Sequence, residues 1–425
     1  MEYAVLGGGA LGLMAAYRLA QAGQSVIVFE QEKIAGGLAS GFQVGGTWLE
    51  KFYHHIFRSD KKIIQMIEEL GLGDRLEWLR PRTVSLIGGE IHQLDSPLTL
   101  LTFKPWRIDE RLRVAAVLSF LKVVPPSLLE GQTAGPWLRR WLGQRPYENF
   151  FEPLFIGKFG ALHDQIALPW FWARFHDRTT QLGYLRGGFQ LFYERLVERI
   201  TELGGKVLLG TRVEKVEQEN GRWRVESSQG TWSFDQVIST FPTRLTCRLI
   251  PALPEDYRTK YEWGQAYGAH CLILALDRSV TDSYWINICD RGYPFTGLFE
   301  HTNFRSPSEY GGHHLLYLGS YRPMDDPLFT MSKEEVMAEY FPALKRIVPA
   351  FDPAWVQDSW TFKAAYAQPI VTTDYRDHIP PLETPLDGLW LANMFQVYPH
   401  DRGQNYSLDL AEQVVQRALQ KEKKS

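Results

Sequence analysis

The sequence predicts an α/β fold in which a parallel-sheet domain is interleaved with an α+β second domain. Two observations predict it. The first is a β-α-β pattern over residues 3–30: a short apolar run at 4–6, a glycine turn, a helical run that Gly23 stops, and a second apolar run at 26–29. The second is that this pattern is resumed twice, far along the chain. An amphipathic helix at 189–204 leads into strand-like runs at 206–209 and 211–217, and DQVIST at 235–240 reads as a buried strand. A last buried strand at 389–392 is followed by a polar loop at 393–405 and a closing helix at 406–419. Between these returns, HCLILAL, SYWINIC, TGLFEHTNF and HHLLYLGSY at 270–321 read as the strands of a different sheet. Residues 1–80, 185–245 and 385–425 are therefore assigned to the first domain, and 81–184 and 246–384 to the second.

The glycine turn carries the first chemistry. Gly7, Gly9 and Gly12 form G-x-G-x-x-G, with Ala10 and Leu11 opening the helix. Gly7 permits the tight turn, Gly9 lets the backbone approach a pyrophosphate, and Gly12 lets helix and strand pack closely. Free N–H groups at the helix start then favour the phosphates. Glu30 ends the second strand, with Gln31 after it, where an acid accepts hydrogen bonds from ribose hydroxyls. Strand, helix, second strand and acid stand in order, which makes this a Rossmann-like dinucleotide fingerprint. Six residues past Glu30 come Gly36 and Gly37. This doublet resembles the extended motif of the glutathione-reductase-like and amine-oxidase-like flavoproteins, and the resemblance implies FAD as cofactor. Many members have an arginine after the doublet; here Leu38 follows.

The remaining elements follow in order. His54 and His55 are adjacent in the 47–60 stretch, so on a strand they point to opposite faces. Ser59 or Asp60 is placed to cap a helix reaching residue 70. Residues 83–94 read as a hairpin turning at Gly88-Gly89. Residues 107–129 are helical, with Arg111, Arg113 and Lys122 flanking apolar positions. Two readings of that helix stay open: packing within the second domain, or peripheral contact with a membrane surface. Aromatic helical stretches follow at 137–141 and 147–159, and Asn220-Gly221 marks a hairpin. Ser332 with Glu335 reads as a capping box opening a helix to 347.

Composition removes several function classes. The net charge of −3 gives no field that would attract nucleic acid. Cys247, Cys271 and Cys289 show no C-x-x-C spacing and suit a reducing compartment, and Met1 stands almost on the first strand, so a cytoplasmic location is expected. His313 and His314 are adjacent, no H-x-x-x-H or H-x-H pair stands near a carboxylate cluster, and no metal is expected. No G-x-S-x-G elbow is present. The sequence sets no oligomeric state.

The whole order resembles that of the amine-oxidase-like flavoproteins of the protoporphyrinogen oxidase and phytoene desaturase type. Several stretches are most similar to UDP-galactopyranose mutase. FYHHIFRS at 52–59 resembles its YGPHIFHT, with His55, Ile56 and Phe57 in register, and FTGLFEHTNF at 295–304 resembles its YTRIIEHKHF. Arg174, in WARF, resembles a mutase arginine that binds the substrate diphosphate, and Gly187-Gly188-Phe189 its glycine-glycine-aromatic turn. Gly297 stands where the mutase has its second diphosphate arginine, and Ala392-Asn393 where it has glycine-arginine. The resemblance implies that Val213 holds the adenine through its backbone. It also implies that the C-terminal loop and helix bring Asn393, Arg402, Asn405 and Tyr406 to the flavin.

Two functions follow from the resemblance. The first is a flavin-dependent oxidoreductase in which N5 takes a hydride from a largely apolar or lipid-linked small molecule, with His54, His55 and His301 as candidate assisting groups and Glu300 orienting His301. The alternative is a non-redox, mutase-like enzyme acting on a nucleotide sugar, in which Arg174, Arg322 and Arg402, with Tyr321 and Tyr398, hold a diphosphate.

Overall fold

The computed structural model describes residues 1–423. Five parallel strands form the first sheet, in the order Lys206–Leu208, Ser25–Phe29, Glu2–Leu6, Gln236–Ser239 and Leu389–Leu391. Both faces are covered, as an all-parallel sheet requires. On one face the helix Ala10–Gln21 packs against the helices Gln190–Glu202 and Gln404–Glu422. On the other lies an antiparallel ribbon of Val213–Glu219, Arg222–Ser227 and Gly230–Phe234, whose Trp232 and Phe234 rings meet Phe29 edge-on. The ribbon's first turn is Asn220-Gly221, both at positive φ as the hairpin requires.

The second sheet has seven strands, ordered Val356–Pro369, Ala266–Leu276, His314–Arg322, Gly297–Glu300, Trp285–Ile288, Thr83–Ile87 and Glu90–His92. All neighbours are antiparallel except Trp285–Ile288 with Thr83–Ile87. One face shares a core with the first domain through Ile273, Ala275, Phe299, Leu315 and Tyr317. The other packs Leu272, Leu274, Leu316 and Leu318 against the helix Lys333–Ile347, which opens with the Ser332–Glu335 capping box. A helical cluster between residues 97 and 176 builds a third core around Trp106, Leu138, Tyr147, Phe155 and Trp170.

Three local expectations are corrected. The helix expected over 107–129 ends at Val123, because Pro125 and Pro126 cannot continue it; a 3-10 turn, Pro126–Leu129, follows. Asp60 is the N-cap of the helix Lys61–Glu69, but its carboxylate accepts from Phe57 N instead of from the helix. The helix's Lys62 and Ile63 N–H groups donate to Asn405 Oδ1 at 2.9 and 3.3 Å, so the cap comes from the far end of the chain. The edge strand Val356–Pro369 was not anticipated, because its first eleven residues are mostly exposed or half-buried and lack an apolar alternation.

Candidate functional site

The glycine turn folds into a cradle whose two sides have different tolerances. Gly7 has φ +106°, and a Cβ there would lie 2.5 Å from Thr240 Oγ1. A Cβ on Gly12 would lie 1.9 Å from Gly7 O, so helix and strand touch at this point. Gly9 differs: a Cβ there would meet only Gly37 Cα, at 3.9 Å. Its open side is the surface a pyrophosphate would occupy. Gly9 caps the helix with no side-chain bond to the first-turn N–H groups, which stay available to an anion. The doublet closes over the turn, with Gly36 N donating to Gly8 O at 2.8 Å, while Gly37 and Leu38 remain exposed.

Glu30 is buried at the end of its strand. Its Oε2 accepts from Gly8 N at 2.7 Å and its Oε1 from Glu32 N at 2.8 Å. Burial raises its pKa, and these N–H bonds oppose the rise. Each carboxylate oxygen can accept more than one bond, so capacity remains for two ribose hydroxyls. Gln31 is exposed beside it, and Val213 opens the ribbon opposite Ser227. The donor set and the open face at Gly9 fit a dinucleotide. Glu30→Ala should weaken that dinucleotide by ~1–3 kcal/mol, measured as the dissociation constant for reconstitution of the apoprotein.

A second set of residues converges from five distant segments. Asp401 is its hub. Asp401 Oδ2 accepts from Arg174 at 2.7 Å and Lys158 at 3.0 Å, and Oδ1 from Trp170 Nε1 at 3.3 Å and Arg402 N at 3.1 Å. Burial alone would raise the Asp401 pKa; Lys158, Arg174 and Arg402 together overcome it and hold the carboxyl far below its ordinary range. Arg402 donates to Gln368 Oε1 at 2.5 Å and to the Tyr321 hydroxyl at 3.0 Å. Burial, then the neighbouring Tyr321 hydroxyl, raise the pKa of Tyr53 well above the usual phenol value. Tyr53 stacks on Phe299 at 3.5 Å and packs beside Trp285, and the Arg178 guanidinium lies over the Trp285 ring at 4.9 Å.

His54 and His55 join this set as neutral imidazoles. Burial, helped by Arg402, lowers the His54 pKa to about 4; burial, then Arg178, lowers that of His55 to about 3. His54 Nδ1 sits 2.5 Å from the Phe52 carbonyl, which only accepts, so Nδ1 carries the proton and Nε2 is left as an acceptor.

Cradle and cluster are linked. Tyr193 lies against Gly36, and its hydroxyl donates to Gln404 Oε1 at 2.5 Å, two residues from Arg402.

The structure does not bring every expected residue here. His301 lies elsewhere, 4% exposed, with Nε2 2.7 Å from the Tyr310 hydroxyl and its ring edge-on to Tyr184. Glu300 does not orient it: that carboxylate accepts from Thr281 N at 2.7 Å and Val280 N at 3.3 Å. Asn393 is committed to its own loop, donating to Phe241 O and accepting from Phe395 N. Asn405 caps a helix, as above, and Tyr406 donates to Asp177 at 2.8 Å. Of the five residues weighed for a diphosphate, Arg174, Arg402 and Tyr321 converge. Arg322 turns to Pro294 O and Tyr398 to Glu130. Lys158, Arg178 and Asp401 were not anticipated. The one usable signal was Lys158, a lone cation in the otherwise apolar run LFIGKFG.

The network around His301 contains a titrating acid. Glu50 accepts from Phe189 N and from Tyr184 Oη, both at 2.7 Å, yet burial raises its pKa from 4.5 to about 7. The folded state therefore keeps a proton that the unfolded chain has released, and stability falls as pH rises from about 4.5 to about 7. Glu50→Gln should remove this loss. Denaturant unfolding should show the variant gaining about 2 kcal/mol more over wild type at pH 8 than at pH 5.

A five-stranded parallel sheet with a glycine cradle, joined to a polar cluster beside a second sheet, is an arrangement that fits a dinucleotide-binding enzyme. The chain belongs to the flavin containing amine oxidoreductase family, whose model matches residues 12–400. Among curated relatives, the 15-cis-phytoene desaturase of Narcissus pseudonarcissus is 28% identical over 250 residues, 51% of this chain and 42% of that protein. The chain thus matches less than half the length of such relatives. Among solved structures, one from Exiguobacterium sp. 255-15 assigned as a protoporphyrinogen oxidase superposes with a TM-score of 0.79, at 20% identity over 98% of each chain. Reduced UDP-galactopyranose mutase gives 0.77 at 14% identity, over 98% of this chain and 95% of that one. At these identities the structural likeness speaks for the fold alone.

Proposed function

We propose that the chain is an FAD-dependent oxidoreductase that takes a hydride from a largely apolar or lipid-linked small molecule. Residues 1–80, 185–245 and 385–425 hold the cofactor in this reading, and the remainder shapes the substrate site. The observation that carries it is the junction of cradle and cluster through Gly36, Tyr193, Gln404 and Arg402; in this reading the aromatic residues Tyr53, Trp285 and Phe299 stand on the substrate side. When bound, FAD supplies a hydride acceptor at N5. The protein's part is to bind, orient and exclude water. The half-buried Tyr53 offers an aromatic ring, and the neutral His54 supplies Nε2 as a hydrogen-bond or proton acceptor.

The mutase-like alternative keeps one observation in its favour, the convergence of Arg174, Arg402 and Tyr321. Against it, position 297 has no room: a Cβ on Gly297 would lie 2.8 Å from the Phe299 ring, so no arginine fits there. The experiment is anaerobic visible absorbance of the oxidised enzyme with lipid extracts, amines, porphyrinogens and UDP-sugars. Bleaching by one of them supports hydride removal and identifies the class. Absence of bleaching, with sugar isomerisation after chemical reduction, would establish the alternative.

A lipid-linked substrate would be met at a membrane surface. Among the described residues no helix is long and apolar enough to cross a membrane. The helix Ile108–Val123 nonetheless exposes Ile108 (71%), Leu112 and Val123 (79%), beside exposed Leu98, Leu128 and Trp141. Residues 97–146 carry eight Lys or Arg against three Asp or Glu, a balance suited to an anionic bilayer. Ile108→Glu with Val123→Glu should at least halve the fraction that sediments with phosphatidylglycerol vesicles.

A further inference from the structure

The cluster around Asp401 holds more positive charge than its own residues neutralise. Lys158, Arg174, Arg178 and Arg402 gather there, and Asp401 is the carboxylate that answers them. Asp177, next in sequence to Arg178, is engaged by His400 at 2.7 Å and by Tyr406 at 2.8 Å. Among the described residues no side-chain or backbone oxygen accepts from the Arg178 guanidinium, whose one defined contact is the Trp285 ring. Arg178 is exposed, and its guanidinium stays charged. His55 beside it is neutral and gives no compensation.

Cations gathered around one carboxylate repel one another, and the arrangement is relieved when an anion enters. A guanidinium presents paired donors that match a planar carboxylate or a phosphate. The residues next to it are aromatic: the buried Trp285 under the guanidinium, and the half-buried Tyr53 stacked on the buried Phe299. We propose that Arg178, with Arg174 four residues before it, binds the oxyanion head group of an amphiphilic substrate whose apolar part lies along Trp285 and Tyr53. This rests on the reading of an apolar substrate above and adds to it that the molecule is an anion. The head group is a phosphate ester or a carboxylate, and the probes separate the two.

The test is calorimetric titration of the flavin-loaded protein with octyl phosphate, octanoate, octanol and inorganic pyrophosphate, below micelle formation. Octyl phosphate or octanoate should bind at least tenfold more tightly than octanol, and their ranking names the head group. R178M should cut that preference at least fivefold with flavin content unchanged, and R178K should retain part of it. Equal binding of octanol and both anions overturns the Arg178 proposal and leaves the apolar-substrate reading standing. Binding of pyrophosphate that depends on Arg178, with no gain from an octyl chain, keeps the anion site and removes the apolar reading. An R178M protein with the wild-type preference, or no binding by any probe, overturns the proposal.

Discussion

Gly9→Leu should give a folded, colourless protein, whereas Gly12→Ala should give a destabilised one. The two glycines stand three residues apart in one turn, and their surroundings set opposite outcomes. Gly9 has φ −77° and ψ −177°, a conformation open to any L-residue, and a Cβ there meets nothing closer than 3.9 Å. A leucine side chain at Gly9 is tolerated by the protein and fills the space that the pyrophosphate needs. At Gly12 even one methyl group would sit 1.9 Å from a backbone oxygen of Gly7, and no rotamer relieves a Cβ clash. The helix Ala10–Gln21 must move off the strand Glu2–Leu6, at a cost of about 3 kcal/mol or more, the upper range for overpacked cores. Thermal unfolding and flavin content, measured together, separate the two. A Gly9→Leu protein that stays fully yellow would mean that the dinucleotide does not run over this turn.

This contrast shows what the sequence made legible. The cradle is local: Gly7, Gly9, Gly12 and Glu30 belong to one β-α-β unit, Gly36 and Gly37 follow it within seven residues, and their spacing points to the geometry. Most of the parallel strands were legible for a related reason, since buried strands read as short apolar runs. The Asp401 cluster was legible only in part: Arg174, Arg402 and Tyr321 were weighed together, but Lys158, Gln368 and Asp401 come from a helix, a strand and a loop that only the packed fold brings together. Adjacency misled at Glu300-His301, where the strand ends at Glu300 and a 3-10 turn opens at His301, so the two side chains join different networks. Asn405, at the start of a helix, has a role the sequence did not show: its side-chain carbonyl caps another helix. Glycines advertise their role through backbone limits, whereas polar side chains have many partners to choose from, and only tertiary structure chooses.

Asp401→Ala should be among the most destabilising single substitutions in the chain, at about 3–5 kcal/mol, the range for breaking a buried ion pair from one side. The cost lies in what is left behind. Lys158 and Arg174 lose their shared acceptor at 3.0 and 2.7 Å, Trp170 Nε1 loses its partner, and Arg402 keeps only Gln368 and Tyr321. Burial and Arg174 already push the Lys158 pKa far down, against the pull of Asp401. Without Asp401 the lysine can shed its proton, which sets the lower end of the range. Asp401→Asn keeps the shape but turns an amide N–H toward these cations, so it should recover only part of the loss. The pH dependence identifies the cause. A carboxyl held below its ordinary value contributes stability that is complete above the unfolded pKa of 3.8 and is lost only as pH falls below it. The gap between wild type and Asp401→Ala, measured by denaturant unfolding, should therefore stay constant from about pH 5 upward until Lys158 begins to titrate. A gap that instead opened across neutral pH would trace the loss to a group such as Glu50, and would mean that Asp401 is not the counter-ion holding the cluster together.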